Sequence, residues 1–150
     1  MEESLKEQSA FPDFVKEALQ LKEVDAGTYS PLALAYIGDG VYELIVRTRV
    51  VNHGSIQVNK MHKKSSALVN AGTQAEMVRL LLEELTDEEM AIYKRGRNAK
   101  SVTTAKHATM TDYRTATGFE ALCGYLYLTG RIERLITLIS HGFEKIGELE

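Results

Sequence analysis

The stretch "LALAYIGDGVYELIV", residues 32–46, is the most apolar segment of the chain, and its composition is typical of a buried helix. Asp39 stands at its centre between Gly38 and Gly40. Each glycine weakens a helix by about 1 kcal/mol relative to alanine, and isolated acids are seldom fully buried. An acid and two glycines at this position therefore need a structural or chemical reason.

The composition bounds the class of protein. With 150 residues, 44% hydrophobic and 26% charged, we expect one globular domain over residues 1–150, of which residues 1–10 are polar and mobile. The single cysteine, Cys123, excludes an internal disulfide and favours a buried small side chain in a reducing compartment. No signal peptide begins the chain, and no uncharged run approaches the ~20 residues that span a bilayer. We therefore expect a cytoplasmic protein that does not enter membranes.

Helix-start signals and apolar spacing predict an all-α fold without strands. Ser30 is a cap and Pro31 has its φ already set, which predicts a helix from Pro31 to about Asn52. Thr86 and Glu89 form a capping box for another helix. A short helix is predicted for residues 12–21, with Phe14, Val15, Leu19 and Leu21 packed. Residues 55–85 are predicted to be helical in one short and one longer piece, with Leu68, Ala71, Ala75, Val78 and Leu82 on one face. Two more helices are predicted, one from Thr111 or Asp112 through Tyr127 and one over residues 132–146 with Ile132, Leu135, Ile136, Leu138 and Ile139 toward the core.

A second acid, Glu120, shares the setting of Asp39, because it lies inside the apolar segment "TGFEALCGYLYL". Small residues accompany it: Gly118 precedes it, Ala121 follows it, and Gly124 lies one turn later. Such residues would let two helices approach closely and bring the two carboxylates together. Carboxylates that face each other in a dry site repel unless one takes up a proton or a cation lies between them, and Mg²⁺ or Mn²⁺ suits oxygen ligands. The alternative is that each acid caps a neighbouring group or lies on an exposed stripe.

Glu43 lies one helical turn after Asp39 and on the same face of the helix. It is a candidate third ligand, an outer group of the same site, or a partner for Arg47 four residues on. A glutamate placed four residues before a base is a stabilising order. The pair with Arg47 is therefore the favoured interpretation.

Positive charge is gathered in two places, although the net charge of the chain is −3. The stretch "YKRGRNAKSVTTAKH", residues 93–107, has no acid, and "KMHKK", residues 60–64, is a second cluster. We predict an exposed loop over residues 98–111, and Gly96 favours mobility of the basic stretch 94–107. Such clusters favour a polyanion that touches one face, whereas the alternative is a solvated lysine-rich surface. The candidate phosphate-binding residues are Lys60, Lys63, Lys64, Arg95, Arg97, Asn98 and Lys100.

Four stretches together resemble the Mini-ribonuclease III family, bacterial relatives of ribonuclease III that lack a double-stranded-RNA-binding domain. They are "LALAYIGDGVYELIVR", "HKKSSALVNAGTQAE", "YKRGRNAKS" and "YRTATGFEALCGYLYL", and the similarity runs from about Pro31 to Arg134. The resemblance implies an all-helical endonuclease fold, a homodimer, and Mg²⁺-dependent cleavage of double-stranded RNA that leaves 5′-phosphate and 3′-hydroxyl ends, with Mn²⁺ as a substitute ion. It also implies maturation of the ends of precursor large-subunit (23S) ribosomal RNA, for which a ribosomal protein is a candidate partner.

The same resemblance implies roles for individual residues. Asp39 matches the aspartate of the "GD" helix and Glu120 the glutamate of "FEAL", both of which are catalytic metal-binding positions in the family. Ala35 and Thr117 stand where full-length ribonuclease III has two further acids, so fewer metal ligands are expected here. Tyr36 matches an aromatic residue that packs into the partner subunit. The helix of Asp39 is therefore also expected at a dimer interface, with its glycines allowing close helix contact.

Two other functions stay open from the sequence. The first is a non-catalytic RNA-binding or ribosome-assembly module on the same fold, against which the presence of two costly acids argues. The second is a helical metal-dependent phosphohydrolase that acts on nucleotides, which the lack of a His-Asp dipeptide disfavours. A single cysteine excludes a thiolate zinc site, and no GxxxxGK phosphate loop is present.

Overall fold

The computed structural model describes residues 10–54, 57–99 and 109–148, and within these ranges the chain is all-α, as predicted, with no strand. Two predictions concern residues outside these ranges. Residues 1–9, predicted to be mobile, are not described, and neither are Lys100 and residues 101–108 of the predicted loop. The helices are α1 (Ala10–Ala18), α2 (Pro31–Asn52), α3 (Val58–Val69), α4 (Ala71–Leu81), α5 (Asp87–Asn98), α6 (Met110–Leu128) and α7 (Ile132–Lys145), with short 3₁₀ helices at Ala26–Thr28 and Leu82–Glu84.

The starts of the longer helices follow local signals in the sequence. The Ser30 hydroxyl accepts a hydrogen bond from the Ala33 N–H at 3.1 Å, and α2 runs to Asn52, as predicted. Thr86 and Glu89 form the predicted capping box at the start of α5. Side-chain oxygens thus satisfy backbone N–H groups that have no partner within the helix.

The segment predicted as helical over residues 55–85 is divided at Asn70. The Asn70 side chain accepts a hydrogen bond from the Thr73 N–H at 2.9 Å, which caps the start of α4. Its amide also donates to the Ser66 carbonyl at 3.0 Å, at the end of α3. The side chain of this one asparagine therefore hydrogen-bonds to both helix ends.

Helix α6 lies at the centre of the domain and packs against α2, α4, α5 and α7. The rings of Tyr42 on α2 and Phe119 on α6 meet edge to face at 5.4 Å, and the Tyr42 hydroxyl donates to the Leu68 carbonyl at 2.7 Å. Cys123 is buried in this core, as predicted, and burial raises the pKa of its thiol. The central position of α6 brings the residue Glu120 against α2.

The predicted packed side of the first helix is wrong for three of its four residues, and only Val15 is half-buried. Helix α1 has only nine residues and ends before Leu19 and Leu21, and these two side chains and Phe14 are exposed. The helix lies on the surface and contacts the domain through Phe11, whose ring is 6.0 Å from that of Tyr127. Pro12 is buried beside this contact.

The apolar stripe predicted for the last helix is partly confirmed. Leu135, Leu138 and Ile139 are buried, whereas Ile136 is 43% exposed. Ile136 lies at the edge of the stripe, where α7 borders an open groove. No described helix is long and apolar enough to cross a bilayer.

The first part of the basic stretch 94–107 is helical, so the prediction of mobility there is wrong. Helix α5 continues through Asn98, and Gly96 within it is buried. A Cβ on Gly96 would lie 2.7 Å from the Ala121 Cβ and 2.9 Å from the Gly118 Cα. Gly96 therefore allows a close contact between α5 and α6.

Candidate active site

Helices α2 and α6 touch backbone to backbone beside the two acids. A Cβ on Gly38 would lie 1.7 Å from the Glu120 carbonyl oxygen, and a Cβ on Gly124 would lie 2.0 Å from the Leu34 carbonyl oxygen. Because a side chain at either position would overlap the facing backbone, only glycine fits. Each helix supplies one glycine to the contact, as predicted for small residues here. Asp39, which follows Gly38, is thereby brought beside Glu120.

The second glycine next to Asp39 does not serve this contact. A Cβ on Gly40 would meet nothing within 4 Å, so the prediction that Gly40 allows close helix contact is wrong within the protomer. Residues two apart in a helix point to nearly opposite sides, which is why Gly38 faces α6 and Gly40 faces away. Gly118 was also predicted to let the two acid-bearing helices approach closely, but it packs against Tyr93 of α5 instead.

The carboxyl groups of Asp39 and Glu120 lie within hydrogen-bonding reach of each other. Asp39 is exposed, whereas Glu120 is mostly buried. Burial, together with the hydrogen bond and negative charge of Asp39, raises the pKa of Glu120 from 4.5 to about 8. The site therefore favours the protonated form of Glu120, and the added proton relieves the repulsion between the two carboxyl groups. A divalent cation is the other way to relieve the repulsion between such a pair.

Sequence reasoning missed a third polar side chain at this site, that of Gln74 on α4. Gln74 is 2% exposed, its Nε2 donates to the Val69 carbonyl at 2.7 Å, and a hydrogen bond from its amide to Glu120 partly offsets the rise in the pKa of that carboxyl. Its Oε1 is buried and accepts no hydrogen bond within the described residues. The sequence feature that could have revealed Gln74 is a polar amide on the same helix face as the apolar residues Ala75 and Val78.

No further acid completes the pair in the part of the chain that the structure describes. No group of three or more His, Cys, Asp or Glu side chains there is arranged to hold a metal ion. Thr117 is buried and its hydroxyl donates to the Tyr113 carbonyl at 2.9 Å, and Ala35 is buried. Glu43 lies 3.7 Å from Arg47, which confirms the favoured pairing. Among the described residues, Asp39 and Glu120 are thus the two acids available to one ion.

One cluster of candidate phosphate-binding residues lies on α3. Lys60, Lys63 and Lys64 are exposed there. The end of α3 adjoins the acid pair, because its Val69 carbonyl accepts the hydrogen bond from Gln74. The three ammonium groups are therefore carried by a helix that ends at the site.

The other cluster lies at the end of α5, which packs on α6 beside the acid pair. Arg95 donates to the carbonyls of Gly27 at 3.3 Å and Tyr29 at 3.2 Å, so its guanidinium ties the turn before α2 to α5. Arg97 donates to the Asn98 side-chain oxygen at 3.2 Å and is partly exposed. The Arg97 guanidinium also lies 5.7 Å from the centre of the Tyr93 ring. Lys100 lies outside the described residues.

The face of α2 that is turned away from the Gly38 contact with α6 carries exposed apolar side chains. Tyr36 is 83% exposed and Leu44 is 62% exposed. Beside them a groove of about 380 Å³ runs between α2 and α7, with Gly40, Leu44 and Ile136 among its lining residues. Scattered apolar residues on a surface are ordinary, but a contiguous set of this kind is typical of an interface.

Comparisons with known proteins agree with this arrangement. The ribonuclease III domain model matches residues 32–131, a range that includes Asp39 and Glu120. Mini-ribonuclease 3 of Enterococcus faecalis is 50% identical over 119 residues, which cover 78% of this chain and 90% of that protein. Mini-ribonuclease 3 of Streptococcus pneumoniae is 42% identical over 125 residues, which cover 82% of this chain and 98% of that protein.

The fold has a solved counterpart. The crystal structure of a protein from Fusobacterium nucleatum matches with a TM-score of 0.72 at 31% identity, over 81% of this chain and 96% of that one. The helical framework that holds the acid pair is therefore shared along most of both chains. On the domain match and the identity to these relatives, the chain belongs to the ribonuclease III family.

Proposed function

We propose that the chain is a metal-dependent endoribonuclease that hydrolyses double-stranded RNA at Asp39 and Glu120. Membership of the ribonuclease III family assigns it to the endoribonucleases, and two of its relatives bear the name Mini-ribonuclease 3. The single observation that carries the proposal is the meeting of two acids, far apart in sequence, at a backbone contact that admits only glycine.

The side chains at the pair fit Mg²⁺, or Mn²⁺ in its place. Two carboxylates are a usual protein contribution to an Mg²⁺ site, which otherwise keeps waters and takes substrate phosphate. The buried, unpartnered Oε1 of Gln74 beside them also fits a hydrated ion, since it can accept a hydrogen bond from a coordinated water. A divalent cation held by Asp39 and Glu120 would make a water more acidic and offset the negative charge on the phosphodiester.

In the proposed reaction, water adds to phosphorus and the bond to the 3′ oxygen breaks, which leaves 5′-phosphate and 3′-hydroxyl ends. Asp39 is the exposed member of the pair and faces the side from which a strand can approach. Phosphates along that strand would be bound by the basic and amide side chains of two helices and by a lysine that follows α5. These are Lys60, Lys63 and Lys64 on α3, Arg95, Arg97 and Asn98 on α5, and Lys100. Recognition of this kind depends on the shape and charge of the duplex.

The proposal includes a homodimer that buries the open face of α2. The exposed ring of Tyr36, the side chain of Leu44 and the groove along α7 supply the apolar area that such an interface needs. Gly40 lines that groove with no neighbour of its own, which leaves room for a partner to approach α2 closely. A twofold dimer would present one acid pair to each strand of a duplex.

The biological substrate that we propose is the precursor of large-subunit (23S) ribosomal RNA, trimmed at its ends in the cytoplasm. A ribosomal protein is the candidate partner in that step. The competing function is a non-catalytic RNA-binding or ribosome-assembly module on the same fold. The buried setting of Glu120 argues against it, because a binding module has no need of an acid whose charged form is disfavoured.

The test is incubation of a duplex RNA with the pure protein, with and without Mg²⁺, and with Asp39→Asn as the matched variant. We expect Mg²⁺-dependent cleavage by the wild type and a loss of at least about 1,000-fold in rate for Asp39→Asn, because the amide removes an anionic ligand. Duplex binding, measured by gel shift in Ca²⁺, should persist. Cleavage by Asp39→Asn at a near-normal rate would refute the site, and binding without cleavage by the wild type would favour the non-catalytic module.

A further inference from the structure

Gln74 is a buried amide on a helix face that is otherwise apolar. Its neighbours on α4, Ala75 and Val78, are fully buried, and Gln74 itself is only 2% exposed. Burying an amide costs free energy unless its donors and acceptor are paired. A leucine or methionine would cover the same face without that cost, so the amide needs a further reason.

The hydrogen bonds of Gln74 connect three helices. Its Nε2 on α4 donates to the Val69 carbonyl at the end of α3, 2.7 Å away. The same amide also donates to the Glu120 carboxyl on α6. Its Oε1 is buried without a partner within the described residues, and it belongs to the same planar amide that interacts with Glu120. Closing the end of α3 accounts for the first hydrogen bond alone.

We propose that Gln74 is a positioning residue of the ion site: its amide nitrogen holds the Glu120 carboxylate toward Asp39, and its free Oε1 accepts a hydrogen bond from a water on the bound divalent cation. This inference rests on the proposed function, since it takes the two acids to be the ligands of that ion. Gln74 does not itself contact the reacting phosphate.

Two features of the site favour this role. The Glu120 side chain has rotatable bonds of its own, and a donor from a rigid neighbouring helix restricts the direction in which its oxygens point. An Mg²⁺ ion held by two carboxylates keeps several waters, which are donors, and a buried acceptor without a partner is the complement that such a water needs. Groups of this kind beside a ligand commonly change metal affinity when they are removed.

The test measures Mn²⁺ binding directly by electron paramagnetic resonance in the absence of RNA, for the wild type and for Gln74→Met. Methionine has a similar length and no amide. We expect Mn²⁺ to bind Gln74→Met about 10- to 100-fold more weakly. The unfolding temperature of the metal-free variant should stay close to that of the wild type. The substitution removes one acceptor without a partner, Gln74 Oε1, and leaves another, because the Val69 carbonyl loses its donor.

The matched control is Met77→Leu, a change of similar volume one turn later on α4 at a fully buried position. It should leave the Mn²⁺ affinity unchanged. If Gln74→Met does not fold, Gln74→Asn serves instead, because its shorter side chain cannot reach Glu120 and the same loss of affinity is expected.

The outcomes separate this inference from the proposed function. Cleavage and Mn²⁺ binding by the wild type, with equally tight Mn²⁺ binding by Gln74→Met or Gln74→Asn, would overturn the role of Gln74 and leave the nuclease intact. A fall in stability with unchanged Mn²⁺ affinity would also overturn it, since that is the signature of a purely structural amide. A wild type that neither binds Mn²⁺ nor cleaves RNA would overturn both.

Discussion

The two sides of helix α2 differ as strongly as a core and a surface, although they are separated by half a helical turn. On one side Gly38 meets the Glu120 backbone so closely that no Cβ fits, whereas on the other side Gly40 meets nothing within 4 Å. Asp39 stands between them at the boundary. The difference teaches that two glycines flanking one acid do not share one purpose: the first fixes the site within the protomer, and the second lies on a face open to a partner.

The strongest test of this difference is to add one methyl group at Gly38 and, separately, at Gly40. Gly38→Ala should destabilise the protein by at least about 3 kcal/mol, because the new Cβ overlaps a backbone that cannot move aside without separating the helices. Gly40→Ala should change the protomer's stability by no more than about 1 kcal/mol, and in the favourable direction, from helix propensity. Urea unfolding of both variants measures the contrast, and similar losses would contradict it.

The pH dependence of stability tests the inner side of α2. The folded protein keeps the Glu120 proton up to a pKa of about 8, whereas the unfolded chain loses it near 4.5. The free energy of unfolding of the metal-free protein should therefore fall as pH rises through this window, by up to about 1.4 kcal/mol per pH unit.

Two controls isolate this effect. Glu120→Gln cannot titrate, so the difference in unfolding free energy between it and the wild type should carry the slope. Saturating Mg²⁺ replaces the proton and should flatten the wild-type curve. A wild-type curve parallel to that of Glu120→Gln between pH 5 and pH 8 would mean that the two carboxyls do not share a proton.

The outer side of α2 is tested by placing a charge on it. Leu44→Asp should weaken self-association by about 100-fold, because a carboxylate would be desolvated at an apolar interface. Leu80→Asp is the matched control, since Leu80 is also exposed but lies on α4, outside the groove. Sedimentation velocity over a concentration series measures both. Equal effects of the two substitutions would show that the open face of α2 is not the interface.

The smallest expected effect is on duplex binding by the basic residues of α3 and α5. Replacing Lys63 and Lys64 together by glutamine should weaken duplex binding by about 10-fold and lower the slope of log K against log salt by about 2. Arg95→Gln should change that slope less, because the Arg95 guanidinium already binds the carbonyls of Gly27 and Tyr29. Fluorescence anisotropy at several salt concentrations compares them, and a larger change for Arg95→Gln would reverse the assignment.

Local signals account for the part of the structure that the sequence predicted well. The caps at Ser30 and Thr86 act within one helical turn, so they could be placed without knowledge of the fold. The approach of Asp39 and Glu120 was predictable because small residues accompany both acids. The wrong predictions concern contacts between elements: Phe14 is exposed because α1 lies on the surface, and Gly96 is buried because α6 presents Gly118 and Ala121 to it.

The missed residue has a similar explanation. A polar side chain on an apolar stripe is visible in the sequence, but its partners lie on other helices, as those of Gln74 do on α3 and α6. The role of a glycine likewise depends on which element packs against it. Pattern therefore predicts which residues are unusual, and the packing of helices decides what each of them does.

The contact of main chain with main chain at Gly38 and Gly124 has a consequence for engineering. The separation of the α2 and α6 backbones beside the two acids is set by contact between main-chain atoms, and Gln74 then directs the Glu120 side chain. Heat resistance can therefore be sought by changing interior residues of α7 such as Leu138 and Ile139, which are buried, while the glycine contact between α2 and α6 is kept.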